Sequence, residues 1–164
     1  MKALREAGNS VISEFSGLDD DTACQRPADD ELCLKELAAH MRDAEELAAL
    51  QIMSLVESPR KTIPVWDIDI FPLERDYRSG DLRMLLSEFR RMRQDTTQIL
   101  WGLTHSEWRR NGKHPYRGDL NVETIARELA QHDLEHLWQI RRLKYDLNPT
   151  VRITLDDDWD TNDW

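Results

Sequence analysis

The sequence predicts an all-α protein, most simply a four-helix bundle. Four stretches of the chain carry apolar residues spaced three and four apart, which is the pattern of amphipathic helices. The chain has 164 residues, about the length of one domain, and 40% of them are apolar, enough to build a core. These observations predict one helical domain over residues 1–149, followed by an extended acidic tail over residues 150–164.

The first two helices are predicted in the N-terminal third. The first spans about residues 2–15 and is weakened by Gly8. The second spans about residues 31–57, with Asp29 and Asp30 as capping candidates and a Ser-Pro pair directly after its end. Its predicted core face consists of Leu34, Leu37, Met41, Ala44, Ala48, Ile52 and Leu55.

The third and fourth helices are predicted in the C-terminal half. The third spans about residues 80–103, with Arg90, Arg91 and Arg93 on its polar face. The fourth begins after Asn121, a good N-cap, and continues through Asp146 until Asn148-Pro149 stops it. Residues 151–155 then alternate like a short strand or an extended arm.

Two connecting segments are long. Residues 58–79 separate the second and third helices, contain three prolines, and are long enough to cross the bundle. Length alone also allows an antiparallel meander of helices. Residues 104–120 form a second loop that contains Gly112, His105 and His114.

The charge distribution excludes some function classes. The net charge is −10, which argues against nucleic-acid binding because that affinity comes largely from cationic side chains. Acidic residues concentrate in segments 19–31 and 156–164, whereas segment 75–117 is locally positive. We expect the acidic tail to be dispensable for folding and to contact, if anything, this basic segment of the same chain or of a dimer partner.

Cysteine content and hydropathy indicate where in the cell the protein is expected. Cys24 and Cys33 are too few for a disulfide scaffold or a thiolate zinc cluster and are expected to be free thiols. No run of residues approaches the length of a membrane helix, and the polar N-terminus lacks the apolar centre of a signal peptide. We therefore expect a cytoplasmic protein that does not contact a membrane.

Histidines carry the chemical signal. His132 and His136 are four residues apart, so both imidazoles lie on one helix face, and that face also carries Ile125, Leu129 and Ile140. His-x-x-x-His pairs arise often by chance, but polar side chains on an apolar face need partners. A metal ion would satisfy both imidazoles.

His40 offers a third ligand, because its spacing places it beside the buried face of the second helix. The alternative for a single such histidine is a core imidazole bonded to a backbone carbonyl. Three core-facing histidines predict instead a divalent metal site at His40, His132 and His136 with open coordination positions. Imidazole ligands suit zinc, nickel, iron and copper alike.

Other side chains have weaker claims to a role. Asp43, Asp133 and Glu135 could orient an imidazole or act on a bound water, although solvated helix charge is the simpler interpretation of each. His105 and His114 are explained by surface polarity among loop cations. Trp101 and Trp138 could line a pocket, but tryptophan at helical spacing is more often core.

Two stretches resemble a known family. Residues 34–45, Leu-Lys-Glu-Leu-Ala-Ala-His-Met-Arg-Asp-Ala-Glu, are similar to the second-helix motif of the DinB-like four-helix bundle superfamily, the damage-inducible and bacillithiol-transferase group. Residues 111–118, 124–126 and 129–140 are similar to its last loop and fourth helix. Two departures are Glu31-Leu32-Cys33, where the family usually has a tryptophan, and the acidic tail.

The resemblance implies a bundle in which the second and third helices run parallel and a metal site at His40, His132 and His136. It also implies a homodimer and a small-molecule substrate. Family members include metal-dependent transferases of low-molecular-weight thiols, so the resemblance favours thiol transfer to an electrophile, with zinc, nickel or iron as the metal. A metal-dependent hydrolase and a non-catalytic metal-binding, stress-related protein are the alternatives.

Overall fold

The computed structural model describes residues 1–28, 31–68 and 70–147. Four long helices form the bundle: α1 (Lys2–Glu14), α3 (Leu34–Glu57), α5 (Leu82–Gly102) and α7 (Val122–Leu147). The connections contain three short helices, α2 (Asp20–Ala23), α4 (Phe71–Glu74) and α6 (His105–Trp108), a 3-10 helix (Tyr77–Ser79), and the strands β1 (Asn111–His114) and β2 (Gly118–Asn121). The predicted all-α four-helix bundle is confirmed.

The helix starts follow local capping. α7 begins as predicted, because the Asn121 side chain accepts a 2.8 Å hydrogen bond from the Thr124 amide. α5 begins two residues later than predicted, where Asp81 caps it. α3 begins at Leu34, three residues later than predicted, because the carboxylate of Glu36 accepts a hydrogen bond from the backbone N–H of Cys33.

Several predictions fall on residues outside the described ranges. They are the caps Asp29 and Asp30, the stop signal Asn148-Pro149, the extended arm 151–155 and the acidic segment 156–164. α7 itself continues to Leu147, the last described residue. None of the helices in the described ranges combines the length and the apolar character that crossing a bilayer requires.

Core contacts fix the helix directions. One apolar cluster joins the C-terminal part of α1 and of α7 to the N-terminal part of α3 and of α5; its members include Val11, Phe15, Leu34, Leu37, Leu82, Phe89, Ile140 and Leu143. A second cluster joins the opposite ends; its members include Leu4, Ile52, Leu55, Leu100, Val122 and Ile125. Therefore α3 and α5 run parallel, α1 and α7 run in the opposite direction, and the segment between α3 and α5 crosses the length of the bundle.

The predicted loop 104–120 is more ordered than the sequence indicated. It contains α6 and an antiparallel hairpin in which Asn111 pairs with Asn121 and His114 with Gly118. The start of the crossover lies along the hairpin, since the Ile63 amide donates to the carbonyl of Lys113 at 2.9 Å. Gly112 permits this approach, because a Cβ at that position would lie 2.7 Å from the carbonyl oxygen of Lys61.

A buried arginine lies at the centre of the bundle. The guanidinium of Arg93 donates to Glu45 on α3, to Asp133 on α7 and to the carbonyl of Leu4 on α1. Gly8 leaves room for it, since a Cβ on Gly8 would lie 2.5 Å from an Nη atom of Arg93. The prediction that Arg93 lies on the polar face of its helix was therefore wrong, and the glycine that weakens α1 has a packing reason.

Candidate metal centre

The structure brings the three predicted histidines together. His40 projects from α3, and His132 and His136 project from adjacent turns of α7. Each pair of their Nε2 atoms is 3.1 Å apart. His40 is buried, whereas His132 and His136 are partly exposed, so the cluster lies at the α3/α7 face with access to solvent.

These distances fit a metal ion. Histidine nitrogens bind zinc at about 2.0–2.1 Å, which places ligand nitrogens about 2.8–3.4 Å apart for angles between octahedral and tetrahedral. The observed 3.1 Å separation lies in that interval. Three ring nitrogens in such a triangle cannot all satisfy one another, because each neutral imidazole has a single N–H. The donor set therefore suits a cation that accepts three lone pairs.

Protonation favours ligation. Burial, together with the neighbouring His136 and His40, lowers the pKa of His132 to about 3, so its imidazole is neutral near pH 7. The Nδ1 atom of His136 lies 2.8 Å from Oε1 of Gln139, which can only accept a hydrogen bond. This contact favours the tautomer of His136 that carries its proton on Nδ1 and presents an unprotonated Nε2 to the cluster.

The three candidate acids have different environments. Asp43 is buried and accepts hydrogen bonds from Arg42, Arg75 and the hydroxyl of Tyr77. Burial and the Asp43 carboxylate raise the pKa of Tyr77. Among the described contacts, Asp43 holds the crossover segment against α3, one helical turn from His40, and does not orient an imidazole.

Asp133 is likewise buried and is bound to Arg93, so the simpler interpretation of Asp43 and Asp133 as solvated charge is wrong. That interpretation fits Glu135, which is exposed and accepts a hydrogen bond from Gln131. The sequence did not single out Gln139. Its signal was the spacing of three residues from His136, which places the two side chains on one face of α7.

The remaining candidates lie apart from the cluster. His105 is exposed and His114 lies on β1, where its Nδ1 accepts from the backbone of Tyr116. The expectation that Trp101 and Trp138 are core residues is wrong, because they are 77% and 57% exposed. Trp101 does line a surface groove between α1 and α5.

Comparisons with known proteins agree with this architecture. A family model described as the DinB superfamily matches residues 3–140. The uncharacterized protein YuaE of Bacillus subtilis is 23% identical over 88% of this chain and 96% of its own length. The structure of YfiT from Bacillus subtilis, described as a probable metal-dependent hydrolase with an unusual four-helix bundle topology, aligns with a TM-score of 0.79.

That alignment covers 87% of this chain and 82% of YfiT at 16% identity, so it shows the fold. The family match covers most of the bundle, including α3 with His40 and the part of α7 that carries His132 and His136. The chain belongs to the DinB superfamily.

Proposed function

We propose that this protein is a metal-dependent enzyme acting on a small molecule, with one divalent transition metal held by Nε2 of His40, His132 and His136. The observation that carries the proposal is the triangle of Nε2 atoms 3.1 Å apart. Zinc, nickel and iron all suit this ligand set. A divalent cation held by neutral imidazoles lowers the pKa of a bound water or thiol, so a nucleophile becomes available near neutral pH.

The nucleophile is external to the protein. Cys33 is buried at the start of α3, and burial raises the pKa of its thiol, which makes it a poor nucleophile. Cys24 is only partly exposed and its Sγ faces the carbonyl of Arg78. Neither thiol belongs to the group of potential ligand atoms formed by the three histidines. Partial exposure of His132 and His136 gives a small molecule access to the cluster.

Water is the nucleophile that the observations favour, which makes the reaction a hydrolysis. The similarity in fold to YfiT, described as a probable metal-dependent hydrolase, supports this choice. Attraction of an acidic thiol cofactor by the hairpin is weakened, because Lys113 pairs with Asp119 and Arg117 pairs with Glu128. Thiol transfer stays the second candidate. It would use an external low-molecular-weight thiol, because neither Cys24 nor Cys33 belongs to the histidine cluster.

Metal content tests the first part of the proposal. Purified protein is loaded with zinc, nickel or iron, dialysed, and assayed for metal per chain by mass spectrometry. We expect one equivalent in the wild type and less than a tenth of that in His132→Ala and His136→Ala. His105→Ala is the matched control, because it removes an exposed histidine outside the cluster and is expected to keep full occupancy. Full occupancy in His132→Ala would show that the ligands lie elsewhere.

Activity tests the second part. Metal-loaded protein is incubated with a panel of esters and amides, and separately with bacillithiol, mycothiol, glutathione or cysteine plus electrophiles. Metal-dependent cleavage that is lost in His40→Ala supports hydrolysis, whereas metal-dependent thiol consumption supports transfer. Turnover by neither route, in a protein that holds its metal, would favour a non-catalytic metal-binding role. The homodimer stays a prediction, and light scattering that shows a monomer at micromolar concentration would contradict it.

A further inference from the structure

A groove runs between α1 and α5, on the side of the bundle opposite the histidines. Its larger part is a cavity of about 670 Å³ whose lining includes Arg5, Ile12, Arg90 and Trp101. Its smaller part, about 270 Å³, lies nearer the C-terminal end of α1, and its lining includes Ile12, Phe15, Arg83 and Arg90. The two parts share Ile12 and Arg90, so they form one continuous α1/α5 groove.

The groove carries positive charge that the described part of the chain does not neutralise. Arg5, Arg83 and Arg90 line it, and none of the three forms an ion pair with a described residue. Neighbouring Arg91, by contrast, lies on the same helix outside the groove and pairs with Asp95 at 3.4 Å. Apolar area is also present, since Trp101 is 77% exposed at one end of the groove.

The C-terminal segment starts beside this groove. Lys144, in the last turn of α7, donates to the carbonyl of Glu14 at 2.7 Å, and Leu147 packs against the apolar cluster that contains Phe15. The last described residue, Leu147, therefore lies near the Phe15 and Arg83 end of the groove. At about 3.3 Å per residue, residues 148–164 can extend over roughly 55 Å. The groove from Arg83 to Trp101 is about 27 Å long at 1.5 Å per helical residue.

The positive charge of the groove favours an acidic segment as its occupant. Residues 156–164 contain Asp156, Asp157, Asp158, Asp160 and Asp163, two tryptophans and no basic residue. We propose that this acidic segment binds in the α1/α5 groove of its own chain, with aspartates opposite Arg5, Arg83 and Arg90 and a tryptophan on the apolar surface near Trp101. A tethered segment acts at a millimolar effective concentration, which favours it over the tail of a second copy or a free anion. The metal centre on the α3/α7 face stays accessible.

Backbone and indole NMR of the full-length chain tests this binding. The reference variant carries Asp156→Asn, Asp157→Asn, Asp158→Asn, Asp160→Asn and Asp163→Asn, which keeps length and removes charge. We expect shift differences from wild type at Ile12, Arg90 and the indole N–H of Trp101, and expect them to shrink several-fold in 0.5 M NaCl. Arg90→Glu should abolish these differences, while Arg91→Glu, the matched control, should retain them.

Each other outcome overturns the proposal. Identical spectra for wild type and the five-asparagine variant would mean that the acidic segment does not bind the groove. Differences that fall on α3 and α7 would place it on the metal face. Differences that grow between 20 and 500 µM protein would assign the groove to the tail of a second copy, and equal loss in Arg90→Glu and Arg91→Glu would reduce the effect to overall charge. The metal content of the same proteins, measured in parallel, tests the proposed metal site separately, so the two proposals can fail independently.

Discussion

Replacing Arg93 with methionine should destabilise the protein more than any surface substitution. The Arg93 side chain is nearly inaccessible, and it hydrogen-bonds Glu45 at 2.8 Å and the carbonyl of Leu4 at 2.8 Å. Its two Nη atoms also donate bidentate hydrogen bonds to the carboxylate of Asp133. Methionine retains much of the aliphatic volume but removes every donor, so Glu45 and Asp133 become buried carboxylates without a counter-charge.

The magnitude follows from that loss of partners. Breaking a buried ion pair by removing one partner costs about 3–5 kcal/mol, because the remaining charge stays desolvated. Domains have free energies of unfolding of about 5–15 kcal/mol, so the variant should lose a large fraction of its stability. For a chain of this length, each kcal/mol lowers Tm by about 2–4 °C, which predicts a decrease of roughly 6–20 °C.

Urea unfolding followed by circular dichroism measures the effect. Arg91→Met is the matched control, since Arg91 is exposed on the same helix and its change should stay within about 0.5 kcal/mol. Adding Glu45→Gln and Asp133→Asn to Arg93→Met should recover part of the loss, because both buried charges are then neutral. A loss below about 1 kcal/mol for Arg93→Met, with an unchanged urea dependence, would refute the reasoning.

Three further substitutions test other contacts by the same unfolding assay. Gly112→Ala should cost about 1–3 kcal/mol because a Cβ collides with the crossover, and a neutral result would contradict that packing. Tyr77→Phe should cost about 1–2 kcal/mol by removing a donor to buried Asp43; no loss would show that Asp43 is satisfied without it. Burial alone would raise the pKa of Glu14, but hydrogen bonds led by that from Lys144 lower it below its ordinary 4.5. Glu14 thus contributes stability that is fully present above pH 4.5 and is lost as the pH falls through the lowered pKa. Glu14→Gln should therefore cost about 1 kcal/mol at pH 7, and the cost should shrink steadily as the pH is lowered below 4.5.

The sequence predicts the bundle and the histidine cluster well because both depend on helical periodicity. A spacing of four residues places His132 and His136 on one face of α7 whatever the rest of the fold does. His40 is different, because its distance from α7 depends on how two separate helices pack. Its position beside the apolar stripe of α3 indicated burial, but only the three-dimensional arrangement brings its Nε2 to 3.1 Å from the other two.

The buried arginine shows where interpretation by residue type fails. Residue type predicts that Arg93 belongs to the polar face with Arg90 and Arg91. However, Phe89, Arg93, Thr96 and Leu100 step by four, three and four, and all four are buried. Periodicity alone would have placed Arg93 in the core. Residue type outweighed it, since a buried cation requires partners from other helices, and those partners are not visible in a local window.

The hairpin was missed for a related reason. Strands β1 and β2 are four residues each and consist largely of glycine and polar residues, so they lack the alternation that signals a strand. Their stability comes from pairing with each other and with the start of the crossover, where Thr62 bridges to Lys113. Such non-local pairing cannot be inferred from the composition of residues 104–120, which indicated a loop.

The buried polar centre and the histidine cluster depend on the same register between α3 and α7. Arg93 joins Glu45 of α3 to Asp133 of α7, and Asp133 is adjacent in sequence to His132. A slip of one residue along a helix shifts every side chain by about 1.5 Å, whereas metal–ligand distances tolerate only about 0.2 Å. By bonding to both helices from a third, Arg93 resists that slip. The buried Arg93 thus helps to maintain the spacing of the three nitrogens at the surface of the bundle.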